Sequence, residues 1–302
     1  MTPVPLLSDD AILARRPARN VVSADRPYAW LVEPEAAAGD RVVDVATVFL
    51  TNRECPFRCV MCDLWKNTLT ASVAPGQIPE QIRWALEQLP PARHLKLYNA
   101  GSFFDAKAIP PVDDAEIARL AQPFERVIVE CHPKLVGRRC FEFRERLTGE
   151  LEVAMGLETV HPDVLPRLNK QMTLDDFARA ARDLRAAGIG VRAFILVRPP
   201  FLTNTEGLVW AKRSLDFAFA HGVECCSLIP TRDGNGTMEE LAHAGHFAPP
   251  SLDALEAAME YGLSLRAGRV FADLWGIGQR APGDANRVSR LARMNLSQRA
   301  EP

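Results

Sequence analysis

Apolar and polar positions alternate along most of this chain in blocks that switch between strand and helix period. Val42 to Thr51 (VVDVATVFLT) is a β-branched run of strand length that stops at a polar, proline-containing segment, Asn52 to Cys62. Pro79 to Leu89 then places Ile82, Ala85, Leu86 and Leu89 on one helical face, and His94 to Asn99 is a second strand ending at Ala100-Gly101. The alternation continues with a helix over Asp114 to Ala121, a strand over Arg126 to Glu130, a helix over Phe141 to Leu147 and a strand over Leu151 to Leu157. Thr173, with Asp176 three residues on, caps a helix that runs to Leu184 and is closed by Gly188 and Gly190. Val191 to Val197 is a fifth strand stopped by Pro199-Pro200, Glu206 to Ala220 is an amphipathic helix, and Glu224 to Ile229 is a sixth strand. Beyond Gly234 the pattern loosens, then resumes with a helix from Ser251 to about Ala267 and a last apolar stretch, Val270 to Trp275.

Six strands alternating with helices predict an α/β fold with a parallel sheet and right-handed crossovers. The expected form is a partial (β/α)6 TIM-type barrel of parallel strands, with an open doubly wound sheet as the alternative. Residues 1–40 read as an N-terminal extension, 41–236 as the core domain and 237–302 as a C-terminal accessory segment. In either form the loops after the strands gather at one end, where such folds carry their chemistry.

Composition narrows this further. At 302 residues, 47% hydrophobic and 25% charged, the chain suits one large domain rather than a disordered or fibrous protein. Asp9, Asp10, Arg15, Arg16 and Arg19 break up the first twenty residues, and no run reaches the length of a membrane span, so the sequence predicts a cytoplasmic protein without membrane association. Lysine and arginine total 36 against 38 acidic residues, which excludes a surface that is basic throughout. Arg280, Arg287, Arg290, Arg293 and Arg299 in the tail read as a solvated helix face rather than a nucleic-acid contact. Seven cysteines, an odd number, argue against a disulfide framework. Cys131, Cys140, Cys225 and Cys226 have no regular ligand spacing and read as small buried hydrophobes.

The other three are different. Glu54-Cys55-Pro56-Phe57-Arg58-Cys59-Val60-Met61-Cys62 spaces Cys55, Cys59 and Cys62 as C-x3-C-x2-C in one short loop after the first strand. Soft thiolates suit a 4Fe-4S cube, and three of them leave one iron open. A zinc knuckle would need a second ligand pair further along, and none with that spacing follows. This loop resembles the signature of the radical S-adenosylmethionine (SAM) superfamily, with Met61 where the family usually has an aromatic residue. The resemblance implies a 4Fe-4S cluster on the three cysteines as metal ligands and catalytic residues. It also implies SAM chelated to the open iron and cleaved by one electron to a 5'-deoxyadenosyl radical that abstracts a substrate hydrogen.

Further residues follow from the resemblance rather than from spacing. Tyr98-Asn99-Ala100-Gly101-Ser102 stands where the family carries a glycine-rich turn on the SAM amino group, which implicates Asn99, Gly101 and Ser102 in cofactor binding. Glu130-Cys131-His132-Pro133 is similar to a turn in the coproporphyrinogen dehydrogenase and Elongator catalytic-subunit branch, where the glutamate binds the SAM ammonium. Gly156-Leu157-Glu158-Thr159 and Asn169-Lys170 are similar to that branch's ribose and carboxylate contacts, which gives Glu158 and Lys170 those roles. Arg192 lies near the depth where relatives carry a ribose-binding acid, and Arg232, with Gly234 and Gly236, is a candidate for a substrate anion or the adenine.

The phrases YNAGSFFD (Tyr98 to Asp105), GLET (Gly156 to Thr159), Pro199-Pro200-Phe201 and IPTRDGNG (Ile229 to Gly236) resemble the radical SAM subunit family of archaeosine synthase. That resemblance implies a lyase or oxidoreductase acting on a 7-deazaguanine-type tRNA base, with cleavage of a C–N bond of a lysine adduct to leave a formamidine. It further implies a reductase or a flavodoxin- or ferredoxin-type electron donor, and a partner subunit able to supply the basic surface this chain lacks. The same radical chemistry on a small metabolite is the alternative. An iron–sulfur carrier that does not cleave SAM is the alternative from another class.

Overall fold

The structure, a computed structural model, describes residues 6–277 and 283–301. Its centre is an eight-stranded sheet in the order β1 to β8: β1 (Ala29–Ala37), β2 (Arg41–Phe49), β3 (His94–Tyr98), β4 (Arg126–Glu130), β5 (Glu150–Glu158), β6 (Gly190–Val197), β7 (Cys225–Pro230) and β8 (Arg269–Ala272). β2 to β8 are parallel throughout, and each of the six sequence-predicted strands is one of β2 to β7. Helices α1 (Asp9–Leu13), α2 (Gln77–Gln88), α3 (Asp114–Ala121), α4 (Arg138–Arg146), α5 (Val164–Arg167), α6 (Leu174–Ala186), α7 (Asn204–Ala220), α8 (Thr237–His243), α9 (Leu252–Ser264) and α10 (Ala285–Ser297), with short 3-10 turns at Leu64–Asn67, Pro111–Asp113 and Pro133–Leu135, lie between and around the strands. The capping box read at Thr173 and Asp176 starts α6, and Thr203 with Glu206 makes a second at α7.

The sheet differs from expectation at its first edge. β1 pairs antiparallel with β2, from Ala29 opposite Phe49 to Ala37 opposite Arg41. The hairpin turns through Gly39 and Asp40, both at positive φ (74° and 54°), the conformation that matches the twist of the flanking strands. Pro34 and the flanking glutamates hid this strand in the sequence, because proline removes a ladder donor and is tolerated only at an edge. Residues 1–40 therefore contribute a strand to the barrel, and β8 joins the same sheet from the far end.

Pleating sorts the side chains into two sets. Val48, Leu97, Val129, Val153, Ile195 and Leu228 point outward into one core shared with Ile82, Ile117, Phe143, Phe177 and Leu215 of the helices. The neighbouring positions point inward, since Tyr98 on β3 meets Phe194 on non-adjacent β6 with ring centroids 6.3 Å apart, and Phe49 with centroids 6.1 Å apart. The barrel is nearly closed: Ala36 of β1 packs with Cys225 and Phe271 of β7 and β8, and Arg269 donates to the Ala36 carbonyl at 3.2 Å.

Below the aromatic layer the interior is ionic. Glu152, 1% exposed, accepts from Arg126 and Arg192 at 2.7 Å each and from Arg269 at 3.0 Å. Glu35 accepts from Arg192 at 2.7 Å and pairs with Lys96. Burial alone would raise both carboxyls, but these cations outweigh it, holding Glu35 at about 2 and Glu152 lower still. Arg192 is thus part of the barrel floor, remote in role from a ribose contact. In the tail, α10 lies against β1 and β8, with Asn295 accepting from the Ala272 N–H at 2.8 Å, and its arginines reach α9 and the chain end: Arg287 pairs with Asp253 and Glu256, Arg290 with Glu256 and Glu260, and Arg293 with Glu301. Arg280 lies outside the described residues. Among the described residues no helix is long and apolar enough to cross a membrane.

Candidate cluster and cofactor site

The three cysteines leave β2 at the C-terminal mouth of the barrel in a loop pinned from several sides. Leu50 donates to the Tyr98 carbonyl at 2.7 Å, Val60 to the Leu168 carbonyl at 2.9 Å, and Asn235 holds the Val60 and Cys62 carbonyls at 2.8 and 3.1 Å. Gly101 lets the turn after β3 press on this loop, since a Cβ there would stand 3.1 Å from Cβ of Cys55. Burial pushes the thiols up, Cys55 to about 11 and Cys59 and Cys62 to about 12, while Lys170 pulls Cys55 and Cys59 back.

Glu130, at the end of β4, faces the turn after β3. Its carboxylate accepts from the Asn99 N–H at 3.0 Å, and the Ala100 and Gly101 N–H groups next in the turn help to stabilise its charge. Burial pushes this carboxyl up to about 7 despite those donors and Lys170. Ala100 bends the turn at φ 52°. Across the mouth, β5 ends in a bulge between Gly156 and Glu158, with Glu158 at φ 64°, and this irregularity turns the Glu158 carboxylate onto Lys170 at 2.7 Å. A Cβ on Gly156 would overlap the ends of both side chains, so any larger residue would push the pair aside. Burial opposes the Lys170 charge, but Glu158 and the Cys59 and Cys55 sulfurs outweigh it and raise the ammonium above the usual lysine range. Asn169 and Gln171, on either side of Lys170, are also at positive φ, which concentrates left-handed residues on this rim.

Other predicted residues have structural work. His132 donates from Nε2 to the Lys170 carbonyl at 2.9 Å, accepts at Nδ1 from the Lys134 N–H and stacks on Phe57 with centroids 3.6 Å apart. Burial, with Lys170 beside it, pushes its pKa down to about 3, so it is a neutral pillar between the cysteine loop and the Lys170 segment. Ser102 accepts from the His132 N–H at 2.6 Å. Asn99 is fully buried, and neither end of its side-chain amide has a hydrogen-bond partner among the described residues. Arg232 is held by Asp273 and the Trp275 carbonyl, both at 3.2 Å. Gly234 and Gly236 receive the chain itself: Lys66 donates to the Gly234 carbonyl, and a Cβ on Gly236 would strike the Arg15 carbonyl. Sequence reasoning missed Tyr28, whose N–H donates to the carbonyl of Phe49 at 2.9 Å and whose ring packs on that of Phe49 with centroids 5.6 Å apart, at the end of β2 that faces the same mouth; burial raises its phenol. Its position beside unread β1 left no signal.

The donor set fits an iron–sulfur cube: three soft thiols on one loop beside a buried ammonium, with an unpartnered buried amide at the neighbouring strand end. Among the described residues no three His, Cys, Asp or Glu side chains close on a single-ion position. A cube, with a separate iron under each thiolate, needs no such point. A parallel barrel presenting this donor set after its first parallel strand defines the class as an iron–sulfur enzyme scaffold. The chain belongs to the radical SAM superfamily, whose family model matches residues 49–206, more than half of its length. A 4Fe-4S cluster and SAM are therefore its cofactors, and it requires an electron donor and a substrate.

Relatives refine this. The chain is 22% identical over 277 residues to the uncharacterized protein MJ0550 of Methanocaldococcus jannaschii, covering 86% of this chain and 76% of that one. It is 26% identical to archaeosine synthase subunit beta of Thermococcus kodakarensis, covering 74% of this chain and 72% of that one. Among solved structures, SuiB of Streptococcus suis bound to the precursor peptide SuiA matches with TM-score 0.56 and 13% identity, covering 77% of this chain and 49% of that one, so the chain spans about half of SuiB. Methylornithine synthase (PylB) matches with TM-score 0.56 and 13% identity, covering 87% and 71% of the two chains. At such identities these two speak for the fold alone.

Proposed function

We propose that this chain cleaves SAM reductively and removes a hydrogen atom from its substrate, and that the reaction is C–N bond cleavage on a 7-deazaguanine-type base of tRNA. The observation that carries the radical reading is the assembly at one mouth of the three thiols, Glu130 in its amide turn and the buried Glu158–Lys170 pair. When bound, the cluster and SAM supply one electron and a carbon-centred radical. Cys55, Cys59 and Cys62 would hold three irons. Glu130 is the acceptor for the SAM ammonium, a carboxylate facing a cation in a site that excludes water. Lys170 has three donors and gives one to Glu158, leaving others for the SAM carboxylate, while Glu158 retains lone pairs for ribose hydroxyls. Asn99, Gly101 and Ser102 form the turn beside the SAM amino group, and the Asn99 amide is the group there without a partner.

The tRNA-base reading draws support from the two archaeosine synthase beta subunits, at 26% and 29% identity. Charge favours a second reading, a small metabolite, since the net charge is −2 and the α10 arginines are occupied by carboxylates. The test is anaerobic turnover of the reconstituted, reduced protein with SAM and either tRNA carrying the lysine-adduct base or the corresponding free nucleoside. Mass spectrometry of a formamidine-bearing base in tRNA supports the first reading. Turnover of the nucleoside alone supports the second, and 5'-deoxyadenosine with neither substrate altered removes this substrate class.

A further inference from the structure

The residues before β1 run across the barrel mouth. Ile12 of α1 is buried with Val60 of the cysteine loop and with Met238 and Leu241 of α8, and Asp9 accepts from Asn169 at 2.7 Å. Arg15 pairs with Glu240, and its carbonyl lies where a Cβ on Gly236 would be. The segment thus touches the loops after β2, β5 and β7 at once.

Its tightest attachment is to the residue before the first cysteine. Glu54, whose side chain is 9% exposed, accepts from Arg16 at 2.6 Å, from Arg19, and stands 3.1 Å from Arg58. Arg16 is 7% exposed and lies 4.6 Å from the centroid of the Trp65 ring, while Arg19 also donates to the Trp65 carbonyl and Thr68 hydroxyl at 2.7 Å each. Within this network three guanidiniums outnumber the one carboxylate by two beside the first cysteine, and Asp63, next to Cys62, opposes them. A cluster on these cysteines gains negative charge on reduction, so fixed positive charge nearby favours the reduced form.

We infer that Arg16 and Arg19, acting through Glu54, are positioning residues that clasp the cysteine loop, and that their excess positive charge sets the cluster's reduction potential. This rests on the iron–sulfur reading of the site for its second half only. The clasp itself is a property of the chain without metal.

Two variants separate charge from geometry. Glu54→Gln removes a negative charge and Arg16→Gln a positive one, and both weaken the same contact. The clasp predicts faster amide hydrogen exchange across residues 54–62 of the metal-free full-length protein in both variants. In the reconstituted protein, an EPR-monitored redox titration should give a more positive midpoint for Glu54→Gln and a more negative one for Arg16→Gln. Arg16→Lys keeps the charge and loses the guanidinium fork, so it should raise exchange and leave the midpoint near wild type; it also serves if Glu54→Gln folds poorly. Midpoints that move in the same direction in both glutamine variants, as when loosening merely admits water, would overturn the electrostatic half. Unchanged exchange would overturn the clasp. A wild-type protein that assembles no cluster would instead defeat the iron–sulfur reading, with the exchange result still deciding the clasp.

Discussion

Replacing Lys170 with methionine keeps the length of the side chain and leaves the Glu158 carboxylate buried without its cation. Both side chains are 9% exposed and their charged atoms are 2.7 Å apart, so little water can compensate. Removing one member of such a pair costs about 3–5 kcal/mol, whereas replacing both by neutral groups is often near neutral. For a domain of this size that single substitution corresponds to a fall in Tm on the order of 10 °C. Glu158→Gln combined with Lys170→Met should recover much of the loss, giving a coupling of about 2 kcal/mol or more in a double-mutant cycle. The assay is urea unfolding of the metal-free protein for wild type, both single variants and the double variant. Additive losses would mean that the two groups do not share a buried contact and that the bulge at Glu158 does not aim its carboxylate as described.

Glu130→Gln tests the raised carboxyl. The folded-state value of about 7 lies above the unfolded one, so its protonated form stabilises the fold fully below the unfolded pKa and that contribution is lost as pH rises to 7. Wild type should therefore lose about 3 kcal/mol relative to Glu130→Gln between pH 4.5 and 7, read by urea unfolding across pH; parallel curves would refute it. Glu152→Gln breaks the barrel-floor cluster and should cost about 3–5 kcal/mol by the same assay. Arg287→Ala, on the solvated face of α10, should cost under about 1 kcal/mol, and a loss comparable to that of Glu152→Gln would mean the tail does more than cover a surface. Gly156→Ala should weaken SAM binding measured by calorimetry, since its Cβ would displace both Glu158 and Lys170; unchanged affinity would remove the pair from the cofactor site.

Much of this architecture could be read from period alone. The strands β2 to β7 are short apolar-rich runs separated by helix-period segments and by Gly and Pro, so their number and parallel sense were legible, while their sequential order around a barrel was the expected form beside an open doubly wound alternative. β1 escaped because an edge strand tolerates Pro34 and exposed glutamates, which erase the alternation on which strand reading depends. The cysteine loop was legible because its three ligands are local in sequence. What joins Glu158 to Lys170, or Glu54 to Arg16, is tertiary: a bulge at Gly156 in one case, and a chain segment crossing the mouth in the other. The surroundings of Arg192 escaped for the same reason. Its strand position was readable, but that it faces the barrel floor, where Glu35 arrives from unread β1, was not.

The proposed chemistry depends on Cys55, Cys59 and Cys62 carrying a cluster that cleaves SAM. The direct test is anaerobic reconstitution with iron and sulfide, reduction with dithionite in the presence of SAM, and mass spectrometry for 5'-deoxyadenosine, in wild type and in Cys59→Ala. Wild type should form 5'-deoxyadenosine, and the variant should lose both that product and the cluster's absorbance. An intact wild-type cluster that yields none under strong reduction, or SAM cleavage that survives in Cys59→Ala, would contradict the proposed chemistry.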